Sequence, residues 1–286
     1  MLSILFQGVA YGMLLFVLAV GLSVTLGVMN VINLAHGTLA MAGGYVAVAL
    51  TQHAGVPFLA ALPLAALAAG LLGLVLEKTL YIHIYRKSAL DQTLFTIGLV
   101  FVSIAVTTAT AGSSRQFLHQ PAWLNRHIHV AGVDIGFGDI FLVALCGAIA
   151  LALQLVLART RFGSQLRAAV DDRRTARGLG IKVDFLFTAS FVAGSALAGL
   201  GGALGAQVLG LDPNFPLNFL VYFLIVVAVG GSAGITGPLC AAVLLGVADV
   251  AGKYFVPQLG AFIIYTVMLV VLLLRPQGLF APRGAR

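Results

Sequence analysis

Residues 137–158 read FGDIFLVALCGAIALALQLVLA and residues 159–184 read RTRFGSQLRAAVDDRRTARGLGIKVD. The first stretch holds a single charge, Asp139; the second holds Arg159, Arg161, Arg167, Arg173, Arg174, Arg177 and Lys182. About 20 apolar residues are what one helix needs to cross a hydrocarbon core, where every backbone group must be satisfied within the segment. The abrupt change to basic sequence marks the point where the chain leaves that core. The same alternation recurs, with apolar runs at about 4–27, 34–52, 58–76, 93–111, 137–158, 185–209, 217–233, 236–256 and 259–274. Composition agrees. Of 286 residues 60% are hydrophobic and 9% charged, whereas a soluble domain is about a quarter charged. An ordinary water-exposed surface cannot be built from that. Disorder and a disulfide scaffold are excluded by the same runs and by a count of 2 cysteines. The sequence implies an all-α polytopic transmembrane helix bundle of eight or nine spans. It is expected to form a single transmembrane domain over 1–286. No arginine-bearing segment precedes the first run and no small-x-small site follows it, so it reads as a retained span.

Charge sets the orientation. Lys78, Arg86 and Lys87, the seven residues of 159–184, and Arg275, Arg283 and Arg286 all fall on one side if the later spans alternate. The positive-inside rule makes that side the cytoplasm and places the C-terminus there. The segment 112–136, with only Arg115 and Arg126, then faces outward. Residues 1–76 contain no Lys, Arg, Asp or Glu, so charge does not say whether 28–57 spans, breaks or re-enters, nor on which side the chain begins. The net charge of +7 reflects these loops and not a nucleic-acid partner. Gly8 and Gly12, and Gly194, Ala198, Gly202 and Ala206, recur one turn apart, the spacing that lets helix backbones approach in lipid.

Within the basic loop, Ser164 is suited to an N-cap and Gly178 to the position after a helix end. Leu166, Ala169, Val170 and Ala176 form an apolar face ringed by Arg167, Asp171, Asp172, Arg173, Arg174 and Arg177. An amphipathic helix over 164–177 at the membrane surface is expected. A topology-fixing loop and a helix resting on anionic lipid compete with a docking role. Polar residues inside an apolar segment, Asn30, Asn33 and His36 before Gly37 and Gly43-Gly44, point to a transport pathway. Asp249 and Lys253, one turn apart, read as the sole opposite-charge pair well inside a span. In the outer loop, Ile128–Val130 and Val133–Ile135 alternate as a small hairpin, with Phe117 and Trp123 ahead of it.

Several chemistries lack their motifs. There is no G-x-x-x-x-G-K-[ST], and the glycine-rich 231–238 has no lysine after it. No H-E-x-x-H or cysteine cluster suggests a metal, and His127 with His129 is too few for one. No G-x-S-x-G elbow occurs, and His36 has no evident nucleophile partner. Cys146 and Cys240 read as free thiols. The chain is read as a non-catalytic passage without its own engine.

Taken together, ordered segments resemble the permease subunits of bacterial ABC importers for branched-chain amino acids, particularly the shorter of the two permeases. These are Asn30-Val-Ile-Asn33-Leu-Ala-His36-Gly37; Thr160-Arg-Phe-Gly163 with Arg167-Ala-Ala169 and Gly178-Leu-Gly180-Ile181; Val229 to Pro238; Leu245-Gly-Val-Ala-Asp249; and Arg275-Pro276-Gln-Gly278-Leu-Phe280. The resemblance implies a permease in the bacterial inner membrane. Its partners would be a second permease subunit, two ATPase subunits that carry ATP and Mg, and an extracytoplasmic solute-binding protein. It further implies that Gly163, Leu166, Arg167, Ala169, Asp171, Arg173, Arg174, Gly178 and Gly180 belong to a coupling helix that meets an ATPase. Asn30, Asn33, His36, Gly37 and Asp249 would belong to the translocation pathway. Thr38 departs from the pattern, as does Leu220-Val-Tyr222-Phe223, where the family often has a lysine ahead of Val229-Gly-Gly231, and related permeases carry urea and short amides. A pathway almost free of fixed charge suits a net-neutral solute. The alternative from another class is a stand-alone secondary transporter or channel that uses Asp249 and Lys253 as a relay.

Overall fold

A computed structural model describes residues 1–280 except 30, 32, 86, 131–132 and 232–233. The protein is a helical polytopic membrane bundle. Its helices are α1 (Leu2–Met29), α2 (His36–Gln52), α3 (Phe58–Leu76), α4 (Ile82–Ile84), α5 (Ala89–Ala111), α6 (Phe137–Arg159), α7 (Arg161–Asp171), α8 (Arg173–Gly178), α9 (Val183–Val208), α10 (Phe215–Gly230), α11 (Thr236–Phe255) and α12 (Gly260–Leu274). A π-helical turn, Glu77–Tyr81, joins α3 to α4 as one continuous helix. The outer-loop hairpin forms as β1 (His127–Val130) paired antiparallel with β2 (Val133–Gly136); its turn, at 131–132, lies outside the described residues.

α1 is the central element. Leu14 to Val20 are wholly buried by protein, although a helix of this hydropathy could face lipid on every side. Lipid gives apolar side chains no reason to associate, so the contact must come from close backbone approach. Gly12 meets α11, where a Cβ would stand 2.7 Å from Val243 Cα. Gly21 meets Gly194 of α9, and Gly43 of α2 meets Gly199 of the same helix. The small residues expected at 194–206 are thus the surface on which α1, α2 and α3 cross α9.

These contacts give the chain direction. Leu18 packs on Gly201 and Gly21 on Gly194, so α1 runs antiparallel to α9. The C-terminal end of α1 lies beside α7 and α8 on the face that carries 159–182, here the basic face. Its first turns lie on the hairpin face, where Gln7 borders a cavity with Asp139 and Leu209. The segment after α12 is on the basic face, Leu279 N donating to Val229 O at 2.8 Å. The first residue and residue 280 therefore lie toward opposite faces of the bundle.

α2 differs from an ordinary span. It has 17 residues, and its first turn packs beside Leu18 in the middle of α1, while Gln52 Nε2 donates to Phe117 O on the hairpin face. Its first turn is thus deep within the bundle, and the described residues just before it, Asn33 to Ala35, are not helical.

The helix crossings make an opposed pair of predictions. Gly12→Ala should lower the thermal midpoint of the detergent-solubilised protein, since overpacking typically costs about 1–3 kcal/mol of stability. Gly98→Ala, whose Cβ would meet nothing within 4 Å, should leave it unchanged or raise it, since alanine is the better helix former.

Candidate functional site

The basic loop folds as two short helices rather than one. Thr160 Oγ1, not Ser164, caps α7, accepting from Gly163 N at 3.2 Å. Ser164 Oγ instead donates to Arg161 O. At Asp172 the backbone is extended (φ −147°, ψ 102°), and the carboxylate caps α8 by accepting from the amides of Arg174 and Thr175. A side chain that competes with the backbone in this way interrupts a helix. At the far end Gly180, not Gly178, takes the left-handed conformation at φ 82°. Gly180 N donates to Arg177 O and Ile181 N to Ala176 O, the paired bonds that close a helix C-terminus. Both helices are thus capped, which makes the loop rigid for its length.

One face of this pair is fastened to the bundle. Gly163, Leu166, Ala169 and Ala176 are buried; Gly163 lies directly on the Leu157 backbone. Arg167 donates to Leu157 O. Arg173 donates to Met29 O at 3.2 Å and Val28 O at 3.5 Å, with its guanidinium 4.6 Å from the Phe187 ring centre. Those carbonyls end α1, and a cation there satisfies orphan acceptors at the negative end of the helix dipole. Asp171, Arg174, Gly178, Leu179 and Gly180 face outward. A cavity of about 470 Å3 separates α7 from α1 and from Ile235 and Thr236.

Directly after the carbonyls held by Arg173 comes the broken segment. Asn30 lies outside the described residues. Asn33 is buried, and its Oδ1 accepts from Tyr81 Oη at 2.7 Å and Ala35 N at 3.1 Å. His36 is buried as well; Nε2 donates to Leu18 O at 3.0 Å, and the ring stands edge-on to Phe223. Gly37 abuts Pro216 at the start of α10. Gly21 has room for neither a methyl nor a displaced imidazole, since a Cβ there would stand 2.8 Å from His36 Cε1. Asn33, His36 and Gly37 are thus brought together as the fittings of a helix break, each tied to a different neighbour.

Two charged groups stand apart from the break. Asp249 is buried, with Lys253 Nζ 2.5 Å from Oδ2. This pair lies toward the hairpin face beside Gln7 and Leu209, far from the loop. It is not the sole opposite-charge pair within the helices. Glu77, on the π-helical turn, is also buried; it accepts from Thr188 Oγ1 at 3.1 Å and sits 3.4 Å from Lys78 Nζ, which itself donates to Thr188. The sequence showed Glu77 only as the acid that ends an apolar run. The local widening of a π turn, which no residue pattern announces, carries it and Tyr81 inward. Tyr81, Glu77, Thr188 and Phe187 are the site residues that sequence reasoning missed: Tyr81 bonds Asn33 from 48 positions away, Glu77 and Thr188 meet across 111, and Phe187 acts only through the guanidinium of Arg173.

Arg173→Ala should speed hydrogen exchange of the amides at 28–36 in the full chain, while Arg174→Ala should leave them unchanged. The difference tests whether the loop holds the end of α1. The Thr175 hydroxyl and the Thr175 and Arg174 amides hold the Asp172 carboxyl below its ordinary 3.8. A depressed pKa stabilises above that ordinary value and fades as pH falls through the lowered one. The protection of α8 should therefore be level across neutral pH and decline only in acid, a decline that Asp172→Asn removes.

The sequence and the fold have counterparts among known proteins. A family profile described as the permease component of branched-chain amino acid transport systems matches residues 4–272. The chain is 27% identical to the high-affinity branched-chain amino acid transport permease BraD of Pseudomonas aeruginosa, over 96% of this chain and 94% of that one. It is 26% identical to the probable permease LivH of Methanocaldococcus jannaschii, over 98% and 91%, and 24% identical to LivH of Escherichia coli, over 96% and 94%. A solved structure with a similar fold is PsaBC from Streptococcus pneumoniae in complex with Fab, with a TM-score of 0.53 and 12% identity over 95% of this chain and 91% of that one. With the profile spanning nearly its whole length, this chain belongs to the family of permease components of branched-chain amino acid transport systems.

Proposed function

We propose that the chain is the membrane-spanning subunit of an ATP-driven, binding-protein-dependent importer for branched-chain or other neutral amino acids. The observation that carries this reading is the double-capped helix pair on the basic face, fastened by Arg173 to the end of α1 where the helix breaks. A rigid element with one face seated and the other exposed is what a separate motor needs in order to push. The outward residues Asp171, Arg174, Leu179 and Gly180 would meet an ATPase subunit. Gly163, Leu166, Arg167, Ala169 and Arg173 would seat the pair on the bundle, and the cavity behind α7 leaves it room to rock.

In this reading the basic face is cytoplasmic, the C-terminus is inside, and the membrane is the bacterial inner membrane. Two ATPase subunits bind ATP and Mg; this chain holds neither. A solute-binding protein meets the hairpin face, where Phe117 and Trp123 are exposed, and a second permease subunit completes the pathway. Motion of the loop reaches the pathway through Arg173, the α1 carbonyls, and the break fixed by Asn33, His36 and Gly37. The free energy for uphill movement comes from differential binding of ATP and its products on the partners.

The test is made on the assembled transporter in proteoliposomes. Arg174→Glu combined with Leu179→Asp alters only exposed positions, so the chain should still insert and fold. ATP-driven uptake should fall at least tenfold, with solute no longer stimulating ATP hydrolysis. Normal coupled uptake in that variant, or uphill uptake by the purified chain alone, would sink the proposal.

A further inference from the structure

The cavity behind α7, of about 470 Å3, falls in the range that holds a small ligand, about 300–1,000 Å3. It lies at the basic end of the bundle, between the last turns of α1 and α6, one side of α7 and the start of α11. Val24, Val28, Leu157, Leu166 and Ile235 give it apolar walls. Its margin is open, since Gln154 and Ala158 of α6 and Thr236 of α11 border it and are exposed. Leu151 and Leu155 are exposed on the same helix α6, so its lipid-facing side runs up to the mouth.

The margin is also positively charged. Arg167 borders the cavity and commits one N–H, to Leu157 O, out of the five that a guanidinium carries in its planar fork. Arg159 and Arg161 are exposed and lie within two residues of the wall residues Ala158 and Gly163. α11 begins at the rim with no side-chain cap, and the free amides of a helix start attract anions. Against these groups the margin sets one carboxylate, Asp171. A basic pocket between helices at the headgroup level of a membrane suits an anionic headgroup. Arg167 alone would serve any phosphate; the apolar walls, continuous with the exposed side of α6, select a phosphate that carries acyl chains. We propose that this cavity is a binding site for an anionic phospholipid of the adjoining leaflet, its phosphate held by Arg167 and one acyl chain lodged between α1, α6 and α7. An occupied cavity fills the space behind α7, so the lipid restrains the loop pair against the end of α1. That consequence for transport rests on the importer reading; the binding itself does not.

The test uses the purified full chain in nanodiscs of phosphatidylcholine that contain, as a minor component, phosphatidylglycerol with a photoreactive acyl chain. After irradiation, adducts should concentrate on residues 23–28, 154–158 and 163–170. A phosphatidylcholine probe with the same photoreactive chain, at the same loading, should label those segments at least tenfold less. Arg167→Gln should lower labelling by the phosphatidylglycerol probe there at least tenfold. Lys182→Gln, which removes an exposed charge of the same face from outside the cavity, should not. Where Arg167→Gln does not fold, Ala158→Phe decides: it fills the mouth, keeps every arginine, and should lower the labelling equally. Bound phosphatidylglycerol should also slow amide exchange over Arg161–Asp171. Equal labelling by the two probes, adducts spread evenly over the exposed sides of α3, α5 and α12, or full labelling in either variant would overturn the site. Unchanged exchange in α7 would overturn the restraint. An assembly that takes up solute with ATP while its chain prefers neither lipid loses this site and keeps the importer reading. A chain that prefers phosphatidylglycerol in an assembly showing no ATP-driven uptake keeps the site and loses that reading.

Discussion

Backbone contact between glycines is the interaction on which this bundle depends. Water drives apolar helices together in a soluble core, but lipid tails are as apolar as leucine and give no such drive. Attraction must then come from dispersion, which decays within an ångström of the optimum. Gly12 against Gly246, Gly21 against Gly194 and Gly43 against Gly199 bring main chains into direct contact. Leu14 to Val20 are buried because such contacts hold α9 and α11 directly against α1 and α2 against α9. Were α1 pushed outward by one side chain at its crossing with α9 or α11, His36 would lose its place against Leu18 and Phe223.

The central position of α1 has a cost at its end. A helix that stops inside protein leaves its last carbonyls without partners. Here part of that need is met by Arg173, which arrives from 144 residues away. The consequence is mechanical as well as energetic. The loop helices cannot move as a body without disturbing the end of α1. That end is separated by a few residues from Asn33, which is tied in turn to Tyr81 on the π-helical turn. A discontinuous helix with polar fittings, connected to a rigid surface element by one charged side chain, forms a contiguous physical path of the sort that coupling requires.

Much of this was legible in the sequence because membrane helices obey one-dimensional constraints. Runs of about 20 apolar residues and the placement of Lys and Arg need only local reading, and the helices fall where those runs lie. The glycine spacing in α1 and α9 also predicted close crossings, since a turn-by-turn row of small residues has few other uses. The hairpin at 127–136 followed from alternation. Legibility ended where a long-range partner sets the outcome. Asp172 could have continued a helix, and its choice to cap instead depended on Thr175 and on the seat beneath Ala176. Arg173 looked like its neighbour Arg174, though one ends up holding α1 and the other faces out. Glu77 looked like the first residue of a loop, because nothing in the local pattern announces a π turn or a Thr188 more than a hundred residues later. The direction of α1 was hidden for a related reason: residues 1–76 carry no charge to orient it, and only its packing on α9 does.

The same absence of charge bears on what the molecule can pass. Among the described residues, the opposite-charge pairs within the spanning helices sit toward the two ends of the bundle, Glu77 with Lys78 near the basic face and Asp249 with Lys253 near the hairpin face. Between those ends, α1 and α2 offer only backbone, hydroxyl, amide and imidazole dipoles. A solute with net charge crossing that interval would give up hydration without an opposite charge to replace it, a cost that grows steeply in low dielectric. A neutral solute, including one whose own charges cancel, gives up less and can be met by dipoles of both signs. In the importer reading proposed above, a passage of this composition selects by net charge before any contact selects by shape. This follows from where α1 lies and from its composition, not from any one liganding residue.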